Sequence, residues 1–425
     1  FDPTPDTTFE SPAVYDGLVG YDEEMHTFDP LLAKSWKRVN PTTIEFTLRD
    51  DVKWHDGERF DADDVVYTFN WLTHPKTKLR FKRNWAWIGK VEKLGSHKVR
   101  ITAKRPTPFD LARYAYFTAM VPEHVHGKLK DKSTFGRNPV GTGMFRAIQV
   151  DQNKGIVMVR NEAYKHGGKA KPLTNFNRLV LLPIPEMGTQ IAQFLAGKLD
   201  VVAQVGLDQA QNLAKRPNVK MTVSQGLVYI YMAIDAKGRS GIKPLQDIRV
   251  RKALMMAVDR GAIRKLVAGE SPGRIPRAMC WKFQVGCDFD VSLPKFDPAA
   301  AKKLLAQAGH AKGFDVELTT FTSPALSGAA EVVSGQLAKI GIRATVAKMV
   351  MGAYRRKQRA GKIQIMIGGW PAGGLPDVTG TLSFLYSGGP RDYHGDTEVH
   401  KWARMSKGIM DPAKRRALGK KVFNA

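Results

Sequence analysis

Cysteine is nearly absent from this sequence, with only Cys280 and Cys287 in 425 residues. That excludes a disulfide-scaffolded mini-protein and a cysteine-rich zinc module. Long apolar runs are missing as well: no uninterrupted stretch approaches the ~18 residues that a membrane-spanning helix needs. There is no H-E-x-x-H metal helix, no G-x-S-x-G nucleophile elbow and no convincing acid pair at a strand end. Nothing in the chain therefore points to catalysis. Internal repeats and low-complexity linkers are also lacking. Acidic residues are scarce beside basic ones, 40 against 66, which leaves a formal charge of +26.

What is present describes a globular chain, 43% hydrophobic and 9% aromatic, long enough for two or three lobes. The charge invites a nucleic-acid reading, and "KTKLRFKRNWAWIGK" (76–90) does mix basic and aromatic residues. However, Lys and Arg are spread over the whole chain without a tract or a recognition signature, so no nucleic-acid partner is expected. Cys280 and Cys287 enclose "CWKFQVGC". In an oxidising compartment they close a short loop, and in the cytosol they are two buried thiols; export favours the disulfide. The chain opens at Phe1 and stops at Ala425 in a capped helix beginning at Asp411, so a processed start and a further C-terminal segment are expected.

"WHDGERFDADD" (54–64) gathers one histidine and four aspartates. The spacing fits no calcium loop, because His55, Asp56 and Gly57 break the alternation of acids. Val65, Val66, Phe69 and Leu72 follow at helical spacing, so Asp61 reads as an N-cap and Asp63 and Asp64 as first-turn acids. Alternating strands are predicted over 42–54 and 97–105, with a glycine turn leading into a strand over 138–150. From about 178 strands and helices alternate: "RLVLLPI", "EMGTQIAQFLAGKLDVVAQV", "VKMTVSQ", then helices after Asp247 and over 297–309. Asp297 and Gly309 bracket the last of these. Segments 314–321, 331–349 and 363–370 complete a second strand–helix–strand set.

These residues, in this order, resemble the family 5 extracellular solute-binding proteins of ABC importers. "FDPTPD", "VYDGLVGYDEEMHTFDPLLAKSW" (14–36), "GTGMF" (141–145), "DIRVRKALMMAVDRGAI" (247–263) and "DPAAAKKLLAQAG" each match a family segment. "FTLRDDVKWHDGERFDADDVVYTF" (46–69) is the most specific match, and in the family this stretch is structural. The resemblance implies an α/β type II periplasmic-binding fold, two lobes with a hinge plus an extra inserted domain. Lobe I would comprise 1–36 and 138–230 with a chain return at about 411–425, the insert 37–137, and lobe II 235–408. It implies an exported, monomeric receptor without cofactor or metal. Such a receptor would capture a peptide-like solute or amino-acid conjugate in the inter-lobe cleft and deliver it to an inner-membrane ABC permease. An oligosaccharide, an opine-like compound or another anion is the alternative.

The same resemblance places ligand contacts at Thr8, Phe9, Tyr229, Tyr231, Trp370, Ala372, Gly373 and Asp377. Peptide receptors of the family pin the ligand's amine with an acid three residues after the tryptophan; here that position is Gly373, and the next acid is Asp377. Trp370 reads either as core or as a cleft residue whose face stacks on a ligand. Tyr229 and Tyr231 share one face of a strand, which suits either ordinary packing or the cleft. Arg355, Arg356 and Arg359 are candidate anion-pairing residues or a solvated helix face. His124 and His126, on a strand, would share a face but make a poor metal site by themselves.

Overall fold

The structure, a computed structural model, describes residues 10–79, 82–222, 228–269, 275–370 and 376–425. The chain forms two compact units: up to Gln193 with Gly408–Met410, and Phe194–Lys407 with Asp411–Ala425.

In the first unit, strands Ala33–Asn40, Thr43–Leu48, Lys98–Ala103 and Ile88–Gly95 form an antiparallel sheet in that spatial order. Strict alternation sets its faces: Ile44, Phe46 and Leu48 are buried, while Glu45 on the opposite face pairs with Lys98 and Arg100. Helix Ala62–Thr73 covers the apolar face with Val65, Phe69 and Leu72. Its start is a capping box, with Asp61 accepting from the Asp63 amide and Asp64 accepting from the Asp61 amide. Asp64 also accepts the Trp54 indole N–H at 2.9 Å. His55 reaches a different segment. Its Nδ1 accepts from the Gly141 amide (3.2 Å) and its Nε2–H donates to the Gly143 carbonyl (2.9 Å), and burial pushes its pKa down. The acid-rich stretch is a clasp. The glycines it grips are required by close approach, since a Cβ on Gly141 would lie 1.9 Å from the Val14 carbonyl oxygen.

A second clasp lies nearby. Asp16, 1% exposed, receives Thr142 Oγ1 and His166 Nε2, each at 3.0 Å, and an ion pair from Lys171. Burial alone would raise the Asp16 pKa, but Lys171 and His166 more than offset it and hold the carboxyl below the usual carboxylate range. Strands Phe145–Asp151, Gly155–Arg160 and Arg178–Leu181 form an antiparallel three-stranded sheet beside these residues.

The second unit is built on a sheet in the order Tyr229–Ile234, Ile365–Trp370, Asp315–Phe321, Arg343–Met349. The first pair is antiparallel and the rest parallel, joined by the crossover helix Pro324–Ala338. Leu318, Ile365 and Ile367 meet Val333, Leu337 and Leu254 in its core. Asp297 caps the helix Pro298–Gln307 by accepting from the Ala300 amide, and Gly309 ends it at φ +86°.

Two expectations change. Residues 219–222 carry no strand, and the rest of "VKMTVSQ" through 225 lies outside the described residues. His124 and His126 sit in a single helical turn, not on a strand. His124 pairs with Asp56 at 2.8 Å, while His126 is buried against Tyr67, Trp71 and Phe135. The terminal helix Pro412–Asn424 packs on helices Val378–Leu385 and Thr397–Met405 within the second unit.

Candidate functional site

The end of the antiparallel pair in the second unit brings the expected aromatic residues together. Register places Tyr229 opposite Trp370 and Tyr231 opposite Gly368. The glycine is needed there, because a Cβ on Gly368 would stand 2.7 Å from the Tyr231 ring. Trp370 is 7% exposed, and its indole N–H donates to Thr381 Oγ1 at 3.0 Å. Thr381 and Phe384 come from helix Val378–Leu385, one turn apart, so both face Trp370. The Trp370 and Phe384 rings lie 4.2 Å apart, and the Arg391 guanidinium sits 4.0 Å over the Phe384 ring.

Tyr229 donates to the Met279 carbonyl at 2.5 Å. Burial raises its phenol pKa, and burial pushes the Tyr231 phenol up to about 12, so both stay neutral donors. Met279 lies just before the loop that the Cys280–Cys287 disulfide closes. That loop carries Trp281, whose ring meets Tyr229 edge-on at 6.3 Å and stacks on Phe283. Backbone bonds clip the loop to the segment after Trp370: Val285 N–H to the Pro376 carbonyl and Val378 N–H to the Val285 carbonyl, both 2.9 Å. Strand pair, helix and disulfide loop thus form one aromatic wall.

Asp377 does another job. One oxygen accepts the Thr379 amide as an N-cap (2.8 Å), and the other accepts Nε (3.1 Å) and Nη2 (2.8 Å) of Arg415. Both side chains are buried. Its carboxylate is spent within the fold. Arg355, Arg356 and Arg359 lie on the exposed side of helix Met351–Arg359. Thr8, Phe9, Ala372 and Gly373 fall outside the described residues. Sequence reasoning missed Trp281, Phe384 and Arg391. The signal for Trp281 was its place inside the cysteine pair; Phe384 and Arg391 gave none, because their approach to Trp370 depends on the fold.

The chain matches the model of bacterial extracellular solute-binding proteins, family 5 Middle, over residues 27–392. It is 27% identical over 399 residues to heme-binding protein A of Haemophilus influenzae, covering 86% of this chain and 70% of that protein. To the dipeptide-binding protein of Escherichia coli it is 26% identical over 407 residues, with 88% and 74% covered. The structure of NikA from Brucella suis in complex with Fe(III)-EDTA matches with a TM-score of 0.84 at 23% identity, over 99% of this chain and 87% of that one. This likeness establishes the fold as that of type II periplasmic-binding proteins.

Proposed function

We propose, from the premise that this chain belongs to the family 5 bacterial extracellular solute-binding proteins, that it is a monomeric periplasmic receptor with no nucleic-acid partner. It binds a small solute and delivers it to an ABC importer; members of the family are binding proteins. The solute is peptide-like or an amino-acid conjugate, held against the Trp370–Phe384 wall, with its amine blocked or absent.

One observation carries that choice: Asp377, the acid nearest after Trp370 in sequence, is already paired with buried Arg415. Burying a ligand ammonium without a countercharge costs several kcal/mol, because its hydration is lost and nothing replaces it. Arg391 over Phe384 favours a second reading, an opine-like or other anionic non-peptide solute. Calorimetry with Leu-Leu, N-acetyl-Leu-Leu and the C-terminal amide of the latter tests the first reading, and mass spectrometry of solute retained through purification tests the second. N-acetyl-Leu-Leu is expected to bind more tightly than Leu-Leu. Submicromolar binding of Leu-Leu with no gain on acetylation would overturn the proposal.

A further inference from the structure

Among the described residues, the tyrosine and tryptophan side chains of the aromatic wall spend their hydrogen-bond donors within it, with Trp281 the exception; the Thr379 and Ser383 hydroxyls of its helix are buried without a partner as well. Tyr229 donates to the Met279 carbonyl, Trp370 to Thr381, Tyr386 to Met279 Sδ at 2.8 Å and Tyr231 to Met366 Sδ at 3.4 Å. Trp281 Nε1 is buried and has no partner among the described residues. An indole N–H can only donate, and a buried donor left unmade is costly, so such an atom calls for an explanation. Slack in the loop does not supply one. The Trp281 amide donates to Gln284 Oε1 at 2.7 Å, the Gln284 amide returns to the Trp281 carbonyl at 2.9 Å, and the Cys287 amide reaches the Gln284 carbonyl at 3.0 Å. With the disulfide and the clip to Pro376 and Val378, the backbone at Trp281 is held in place while its buried indole N–H stays unpaired among the described residues.

We infer that Trp281 is a solute-recognition residue, whose indole N–H donates to a carboxylate or carbonyl oxygen of the solute lying on the Trp370–Phe384 wall. This rests on the proposed function and narrows it, since the solute must present an acceptor where Trp281 meets the cluster. Arg391, whose charge lies over Phe384, makes a carboxylate the better acceptor. A site built around a buried donor discriminates strongly against solutes lacking the matching acceptor, because binding them would leave the donor still unpaired.

The test uses 15N-labelled protein and the same three compounds. The chain has eight tryptophans. The Trp281 indole resonance is identified by its loss in Trp281→Phe, or in Trp281→Tyr should the first variant fail to fold. Titration with N-acetyl-Leu-Leu is expected to move that resonance and slow its exchange with solvent, the amide having a smaller effect. Affinity of Trp281→Phe for the acid should fall roughly 10-fold or more, the scale of one buried hydrogen bond, while Trp402→Phe, on the separate Thr397–Met405 helix, should bind as wild type. If the acid binds in calorimetry but leaves the Trp281 resonance unmoved, the inference falls and the proposed function stands. If none of the three compounds binds, the proposed solute class falls and takes the inference with it.

Discussion

Replacing Asp377 by Asn separates a structural acid from a ligand-binding one. The asparagine keeps an oxygen for the Thr379 amide, so the N-cap survives; what disappears is the charge opposite Arg415. Those two side chains are 5% and 3% exposed, so water cannot take over the guanidinium. Removing one partner of a buried ion pair costs about 3–5 kcal/mol. In a unit of this size each kcal/mol moves the midpoint by about 2–4 °C, so thermal unfolding followed by far-UV circular dichroism should show a loss of roughly 6–20 °C. The double variant Asp377→Asn/Arg415→Met should regain most of it, because no charge is then left buried. Calorimetry on the folded single variant should give solute affinities close to wild type. A variant that melts within a degree or two of wild type but loses binding of free-amine peptides would refute the reasoning and make Asp377 a ligand acid.

Further outcomes are expected. Asp16→Asn should lower stability at pH 7 by about 3–5 kcal/mol in urea titrations. The Asp16 carboxyl titrates below its unfolded value, so its contribution is fully present above about pH 4 and is lost as pH falls through the folded value; the gap to wild type should narrow at pH 3 and not between pH 5 and 8. His126, whose pKa burial and Lys132 lower to about 4, stays neutral in the folded chain while the unfolded chain takes up a proton near pH 6.5. Stability should therefore decline on acidification between about pH 6.5 and 4, and a His126→Gln variant with an unchanged slope would count against this. Cys280→Ser/Cys287→Ser opens a loop of sequence separation seven. The chain-entropy relation gives about 2.5 kcal/mol for such a loop, to be read from urea midpoints. Solute affinity should fall as well, since the loop holds Trp281.

What was legible in the sequence was mostly local. Asp61, Asp247, Asp297 and Asp411 all cap the helices they precede, because a cap depends on the few residues around it. The strands bearing Tyr229 and Trp370 were each visible in the sequence, since alternation follows from backbone period, whereas their antiparallel pairing was not. The errors involved choices the local chain leaves open. "PEHVHG" lacks enough residues to set a period, and its helical turn is fixed by contacts with Trp71 and Phe135. The terminal helix was legible as a helix, but its buried pairing was not: Arg415 finds Asp377 38 residues earlier, and neither residue's surroundings announce the other.

The two acidic features that most resembled functional sites point to a common cause. In "WHDGERFDADD", Asp61 and Asp64 hold a helix start and a tryptophan, Asp56 holds His124, and His55 grips a glycine turn 86 residues away. At Asp377 the carboxylate holds a helix start and an arginine. In a chain with 66 basic and 40 acidic residues, acids are the scarce partner, and these are consumed by caps and buried pairs. On the proposed reading, recognition then falls to groups that composition does not flag: aromatic faces, one guanidinium and an indole N–H without a partner among the described residues. A buried donor without a partner is costly, so Trp281 marks that wall more sharply than any charge does.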